Sequence, residues 1–239
     1  MTILSVNINK LATLRNARGH NNPNVQEWAL RIQNWGVKSI TVHPRPDERH
    51  IRKQDVYLLK EALDVEFNIE GYPSDDFCKM VLDVRPDQVT LVPDDPEQIT
   101  SNHGWNTMKY QSELTKVVAK FNDAGIRTSL FLDPNPDLVS SAASTGASRI
   151  ELYTEIYAKA FERDTAHKVI RGYAETARRA AELNMGVNAG HDLDLNNLQN
   201  FLNQVPNVQE VSIGHALICD ALELGMEETV KRYLMITEG

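Results

Sequence analysis

Residues 39–50 read SITVHPRPDERH, a short β-branched run followed by two prolines interleaved with two histidines and two arginines. Ile40 and Val42 alternate with Thr41 in the manner of a buried strand. Pro44 and Pro46 cannot donate to a ladder, so the strand is expected to end near His43. His43, Arg45, Arg49 and His50 then leave that one strand end. A histidine can move a proton near neutral pH, and an arginine can grip a phosphate or carboxylate with two prongs, so the segment suits a small anionic substrate. Taken alone, a solvated turn accounts for the same charges equally well. Recurrence of the pattern along the chain decides between the two readings.

Working outward, strand and helix patterns alternate with little left over. Residues 4–8 read as a strand, and Val25, Trp28, Ala29 and Ile32 fall at helical spacing until Gly36. After the strand through His43, the residues Val56, Leu58, Leu59 and Leu63 make a helix, and residues 65–70 a third strand. Ser74 can cap the next helix, with Asp75 and Asp76 in its positive first turn and Phe77, Met80, Val81 and Val84 on one face. Residues 88–92 read as a strand, 110–122 as a helix closed by Gly125, 128–132 as a strand, 136–143 as a helix and 149–153 as a strand. A long helix runs through Val169, Tyr173, Ala177 and Ala181; strand 186–189, helix 195–202, strand 208–213 and a closing helical stretch 221–236, interrupted near Gly225, complete the pattern.

Eight strand–helix units without a Gly-, Ser- or Pro-rich linker predict an α/β fold: a (β/α)8 TIM barrel, a single domain over residues 1–239. A doubly wound open sheet is the alternative, but VNINKLATLRNARG is not the GxGxxG such a sheet carries after its first strand. The barrel demands that chemistry gather at the carboxyl ends of the strands. Those ends offer Asn7, Asn9 and Lys10 with Arg15 and Arg18 in the loop beyond; His43 and Arg45; Glu70; Asp133; Glu151, Tyr153 and Thr154; Asn188, His191 and Asp192; and Gly214 with His215. Asn188 or Glu151 taken singly reads better as a satisfied core group, but seven polar strand ends of eight do not. Gly190 and Gly214 are read as letting backbone amides approach a ligand, with a phosphate seated where the turn after the last strand opens a helix near Cys219.

Composition narrows the class. The 239 residues are 41% apolar and 24% charged, and no apolar run approaches the ~20 residues that cross a bilayer. MTILSVNINK enters a strand pattern without a basic, apolar leader, and the two cysteines, Cys78 and Cys219, do not make a disulfide framework, so a cytoplasmic enzyme is expected. A net charge of -8 argues against nucleic-acid binding. The long loop 93–108, with Thr100, Ser101, Asn102, His103, Gly104 and Trp105, reads as a lid. His43, Glu70, His191 and His215 can meet across a barrel mouth, but the chain has no HxH or HExxH spacing, and no metal is expected.

VNINKLATLRNARG, TVHPRPDERHI, NIEG, LVP with the later Thr100, IELYTE, NAGHD and VSIGHALI run in order from the first strand to the last helix. In these stretches the chain closely resembles the pyridoxine 5'-phosphate synthases. The resemblance implies an eight-stranded barrel assembled as an octamer of paired subunits. It implies condensation of 1-deoxy-D-xylulose 5-phosphate with 3-amino-2-oxopropyl phosphate to pyridoxine 5'-phosphate, phosphate and water, without a redox cofactor. By the same resemblance His43 and Glu70 match proton acceptors, His191 a proton donor and Glu151 a residue that stabilises the transition state. Asn7, Arg18, Gly214 and His215 match contacts to the aminoketone phosphate, and Arg45, His50 and Thr100 contacts to the pentulose phosphate. Asn9 and Lys10 replace the family's commoner acid and histidine, Asp192 a glycine, and Cys219-Asp220 a Gly-Arg pair. Asn9, Lys10 and Asp192 are therefore counted with the substrate-binding set, Lys10 supplying a positive charge. A phosphosugar isomerase or aldolase acting through Lys10, and a non-catalytic phosphometabolite-binding protein, are the competing functions.

Overall fold

The computed structural model describes residues 1–94 and 101–239. Its strands are β1 (Ile3–Asn7), β2 (Ser39–Val42), β3 (Glu66–Gly71), β4 (Gln88–Leu91), β5 (Arg127–Leu132), β6 (Arg149–Tyr153), β7 (Gly186–His191) and β8 (Val208–Ile213). All pair in parallel and in chain order, and β8 closes on β1 through Leu4↔Val211 and Val6↔Ile213. The helices are α1 (Asn9–Asn16), α2 (Val25–Asn34), α3 (Lys53–Ala62), α4 (Asp75–Val84), α5 (Thr107–Asp123), α6 (Pro136–Ser144), α7 (Glu155–Glu162), α8 (Ile170–Glu182), α9 (Leu198–Gln204), α10 (His215–Leu224) and α11 (Met226–Glu238). The chain is a (β/α)8 barrel.

Period-2 alternation sorts every strand into two faces. Leu4 and Val6, Ile40 and Val42, Phe67 and Ile69, Val89 and Leu91, Leu130 and Leu132, Ile150 and Leu152, Val211 and Ile213 are all buried in the layer under the helices. Each such side chain withdrawn from water contributes about 1.5–3 kcal/mol. Their neighbours in sequence, such as Ser5, Thr41, Asn68, Thr90, Glu151, Asn188 and Glu210, point the other way and are just as buried. Hydrogen bonds between strands that are not neighbours, Thr90 to Glu151 and Asn188 to Gln88, cross the barrel interior. A barrel interior is ordinarily filled by branched apolar residues. Here it is polar and held by its own hydrogen bonds, which offset the cost of burying those groups.

Helix ends follow local chemistry. The Ser74 hydroxyl accepts from the Phe77 N–H at 3.3 Å with Asp75 and Asp76 in the first turn of α4, as its sequence predicts. Two helices went unread in the sequence. The short α1 buries only Leu11, Ala12 and the charged Arg15, and α7 buries Tyr157 and Ala160, so neither shows a full apolar stripe. Arg15 is thus not in a loop: its guanidinium forks onto the Asp55 carboxylate at 2.6 and 2.8 Å, and Asp55 also accepts from the Arg52 N–H at the start of α3. The closing helical stretch starts six residues early, at His215, and is interrupted at Gly225. No helix among the described residues is long and apolar enough to cross a membrane.

Candidate active site

At the carboxyl mouth, His43 directly follows β2 and β3 presents Glu70, with His43 Nδ1 3.7 Å from Glu70 Oε2. The Asn7 amide of β1 donates to Glu70 Oε2 at 3.4 Å and the Ser212 hydroxyl of β8 to Oε1 at 3.5 Å. Burial and then the nearby Asp94 raise the Glu70 carboxyl to about 8, against the pull of Arg45. Burial, with Arg45 adding to it, drives His43 well below the usual imidazole range. At neutral pH Glu70 therefore carries the proton and His43 is an open base. Below them Glu151, 3% exposed, lies 3.4 Å from the Thr90 hydroxyl, and burial followed by the neighbouring Glu70 pushes it well above the ordinary carboxylate range. The matching carboxylate at the base of the barrel, Glu210, has a cation instead: Arg149 reaches it at 2.9 Å.

The loop after β2 carries the cationic side. Arg45 is buried and pairs with Asp94 at 2.5 Å, and the Ser101 hydroxyl donates to the same Asp94 oxygen at 2.6 Å. His50 accepts the Ile51 N–H on Nδ1 at 2.9 Å, which puts its single proton on Nε2, and burial reinforced by Arg45 and Lys10 lowers it to about 4. It is a neutral donor at neutral pH. Asn9 is a brace: its Oδ1 accepts the His43 N–H at 2.9 Å while its own N–H donates to Asn7 Oδ1 at 3.1 Å. Lys10 is exposed on the first turn of α1 and its charge acts on His50.

On the opposite side, His191 holds φ +82 at the end of β7, a conformation few non-glycine residues adopt. Its ring meets the edge of Tyr153 with centroids 5.9 Å apart. Such strain clusters at functional sites. Asp192 follows, raised by burial and drawn down by His191, with Oδ2 buried and without a hydrogen-bond partner among the described residues. Gly190 and Gly214 are also required by packing. A Cβ at 190 would stand 2.4 Å from the Ser212 carbonyl oxygen, and one at 214 would stand 3.0 Å from the Asn7 Cβ, so both glycines serve close strand packing. His215 opens α10 and lies 3.6 Å from Cys219 Sγ; the Tyr233 hydroxyl of α11 donates to Asp220 at 2.6 Å.

The barrel mouth thus gathers Asn7, Asn9, His43, Arg45, His50 and Glu70 from β1, β2, β3 and the segments that follow them, and Glu151, His191, Asp192, Gly214 and His215 from β6, β7, β8 and theirs, with β8 closing back beside Asn7. Arg18 is exposed beyond the end of α1, and no described contact joins it to them. Thr100 lies outside the described residues, as do residues 95–99 of the expected lid. The second half is fastened down: Gly104 N–H donates to Asp133, Trp105 N–H to the Phe131 carbonyl and the Trp105 indole to the Leu91 carbonyl. Asp94, Ser212, Thr90 and Asn68 were missed in the sequence. Asp94 stands in a loop with no motif around it, and the others lie inside strands, where only the polar phase of the alternation marks them. No group of three or more metal-ligating side chains assembles among the described residues. A cavity of about 650 Å³ opens at the amino ends of β3 to β5, far from this chemistry, and its charges pair locally as Lys60–Asp87 and Arg127–Glu66.

Fold and site together define a (β/α)8-barrel enzyme whose titratable side chains gather at the carboxyl face of the barrel. The profile of the family described as "Pyridoxal phosphate biosynthesis protein PdxJ" matches residues 4–239. The chain is 58% identical over 233 residues to the pyridoxine 5'-phosphate synthase of Bacteroides fragilis and 54% identical to that of Porphyromonas gingivalis, each time covering 98% of both chains. The chain belongs to the PdxJ family. Among solved structures, phosphoribosylanthranilate isomerase from Thermotoga maritima superposes with a TM-score of 0.62 at 13% identity over 100% of both chains. The 3-keto-L-gulonate-6-phosphate decarboxylase of Vibrio cholerae gives 0.66 at 7% identity over 99% of this chain and 98% of the other. At such identity these two share the fold alone.

Proposed function

We propose that this chain is a pyridoxine 5'-phosphate synthase, condensing 1-deoxy-D-xylulose 5-phosphate with 3-amino-2-oxopropyl phosphate to give pyridoxine 5'-phosphate, phosphate and water. The observation that carries it is the pairing of His43 with Glu70 at 3.7 Å beside Arg45 in a PdxJ-family barrel mouth. Imine formation, elimination and ring closure each move a proton at a defined carbon or oxygen, and several moderate acids and bases around one pocket can divide those steps. His43 is the first proton acceptor. Glu70 starts protonated, so it donates first and becomes an acceptor afterwards. His191, strained at the end of β7, donates toward the leaving groups, and Glu151 lies beneath the reacting atoms. Arg45, His50 and Lys10 receive the pentulose phosphate, for which substrate phosphate takes Asp94's place on Arg45. Asn7, Gly214 and His215 take the aminoketone phosphate, Asp192 its ammonium, and Arg18 adds a cation there. The assembly is an octamer of paired subunits, working in the cytoplasm on small phosphorylated substrates.

Purified protein given both substrates should produce pyridoxine 5'-phosphate, read by mass spectrometry. Absence of product with folded protein would reject the assignment. The aldolase reading needs Lys10 as an imine-forming amine. Lys10 is exposed and no apolar wall desolvates it, which suits a phosphate partner rather than a Schiff base. Borohydride with the pentulose phosphate is therefore expected to leave the protein mass unchanged, and an adduct at Lys10 would favour the aldolase.

A further inference from the structure

Glu151 raises a question of proton counting. It is buried, and among the described residues no Lys, Arg or His is ion-paired with it; the hydrogen-bonding neighbour within reach is the Thr90 hydroxyl. That hydroxyl has one proton and two oxygens to serve, Asn68 Oδ1 at 3.2 Å and Glu151 Oε2 at 3.4 Å. Asn68 has its amide turned so that Nδ2 donates to Thr41 Oγ1 at 3.2 Å, and Thr41 is itself held by Ser5 at 2.7 Å. Asn68 Oδ1 is thereby left as a pure acceptor facing Thr90, and it is the closer of the two. With the Thr90 proton committed to Asn68, Glu151 Oε2 faces a lone pair. A buried carboxyl oxygen that faces only a lone pair finds its hydrogen bond by carrying the proton itself.

We propose that Thr90 and Asn68 are positioning residues that fix the proton of Glu151 on Oε2, by presenting a hydrogen-bond acceptor where a donor would otherwise stand. The groups around Glu151 agree with this. Phe131 of β5 and Asn188 of β7 flank it in register, and neither carries charge. Glu210 of β8 repels a carboxylate there, and Glu70 of β3 does so once it ionises. Arg149, two residues earlier on the same strand, is occupied by Glu210 and Asn188. His43 and His191 lie above, at the mouth. Glu151 is thus a neutral acid of fixed orientation whose second oxygen, Oε1, is left to accept from a substrate N–H or O–H. The placement of the proton stands on this geometry alone; its bearing on catalysis rests on the function proposed above.

The two directions of the Thr90–Glu151 hydrogen bond make opposite predictions. If Thr90 accepts from the acid, Thr90→Val removes a bond made only by the neutral form, and the titration of Glu151 moves to lower pH by roughly one unit, the equivalent of one ordinary hydrogen bond. If Thr90 donates to a carboxylate, the same variant moves it to higher pH. Protein labelled with 13C at the glutamate carboxyl, with the Glu151 signal assigned by Glu151→Gln, reads this without any assay of turnover. The expected result is an acid-form signal at neutral pH, a downward displacement in Thr90→Val and its restoration in Thr90→Ser. A carboxylate-form signal in the wild type, or an upward displacement in Thr90→Val, would overturn the proposal. Should valine disturb the barrel, the infrared carbonyl band of a protonated carboxyl, present in the wild type and missing in Glu151→Gln, decides the same point, and its absence from the wild type rejects it. Correct titration shifts without any pyridoxine 5'-phosphate formed would leave the proton placement standing and remove the functional reading instead.

Discussion

Glu70 is where opposing influences on a single carboxyl are resolved by its surroundings. Arg45 favours the charged form; burial and Asp94 favour the neutral one and prevail, raising it to about 8. Neighbouring His43 is moved the other way by the same burial. The pair is consequently poised with acid and base exchanged relative to their free tendencies, a pattern typical of general acid–base sites. Glu70→Gln keeps the shape and the hydrogen bonds to Asn7 and Ser212 within reach but cannot cycle a proton. The variant is expected to fold, bind both phosphorylated substrates and turn over at least ~100-fold more slowly, the lower end of what such groups contribute. Steady-state kinetics beside a binding titration checks this, and near-normal turnover would take Glu70 out of the mechanism. That Glu70 belongs at the mouth was legible in the sequence, because NIEG closes a strand; which influence governs its proton was not, because Asp94 is 24 residues away in the chain.

At the scale of elements, the strands were the most legible part. β6 and β8 fall where their sequence places them, because a β-branched and leucine-rich phase buried under the helices cannot slip without exposing itself. Ser5, Thr41, Asn68 and Thr90 make up the polar phase, whose place inside the barrel emerges only when the strands close on one another. α1 was missed because a charged residue completes its buried face. Arg15 is 2% exposed and its bidentate contact ties α1 to the first turn of α3 through Asp55. Removing one partner leaves the other buried and unpaired, which typically costs 3–5 kcal/mol. Asp55→Ala should therefore lower stability by about that much, since it also takes away the acceptor for the Arg52 N–H. Arg15→Met is expected to cost as much. In a double-mutant cycle followed by urea unfolding, the pair should cost far less than the sum, and additive losses would show that the two residues act separately.

For the molecule as a whole, the mouth is assembled at some expense to stability, and the expense depends on pH. Glu70 titrates at about 4.5 in the unfolded chain and about 8 in the barrel. Its contribution is fully present below the lower value and is lost as pH rises to the upper one, because only the unfolded chain releases the proton between them. His43 and His50 act oppositely: burial lowers both, so stability is lost as pH falls below their ordinary 6.5, for His50 down to about 4. Glu70→Gln should thus gain stability over the parent progressively between pH 4.5 and 8, reaching up to a few kcal/mol and then levelling. Urea unfolding at a series of pH values measures the difference, and a gap that does not change with pH would contradict it. The sequence by itself determined the alternation of elements, hence the barrel, and the strand ends at which chemistry collects, because hydrophobic periodicity and proline or glycine stops act over a few residues. It also carried the stretches that resemble the family. Only the tertiary structure decided that Asp94 neutralises Arg45, that Gly190 and Gly214 leave no room for a side chain, that Arg15 is internal, and how burial acts on Glu70 and Glu151. Those depend on burial and on partners brought together from distant strands by closure of the barrel, and no local pattern in the chain records them.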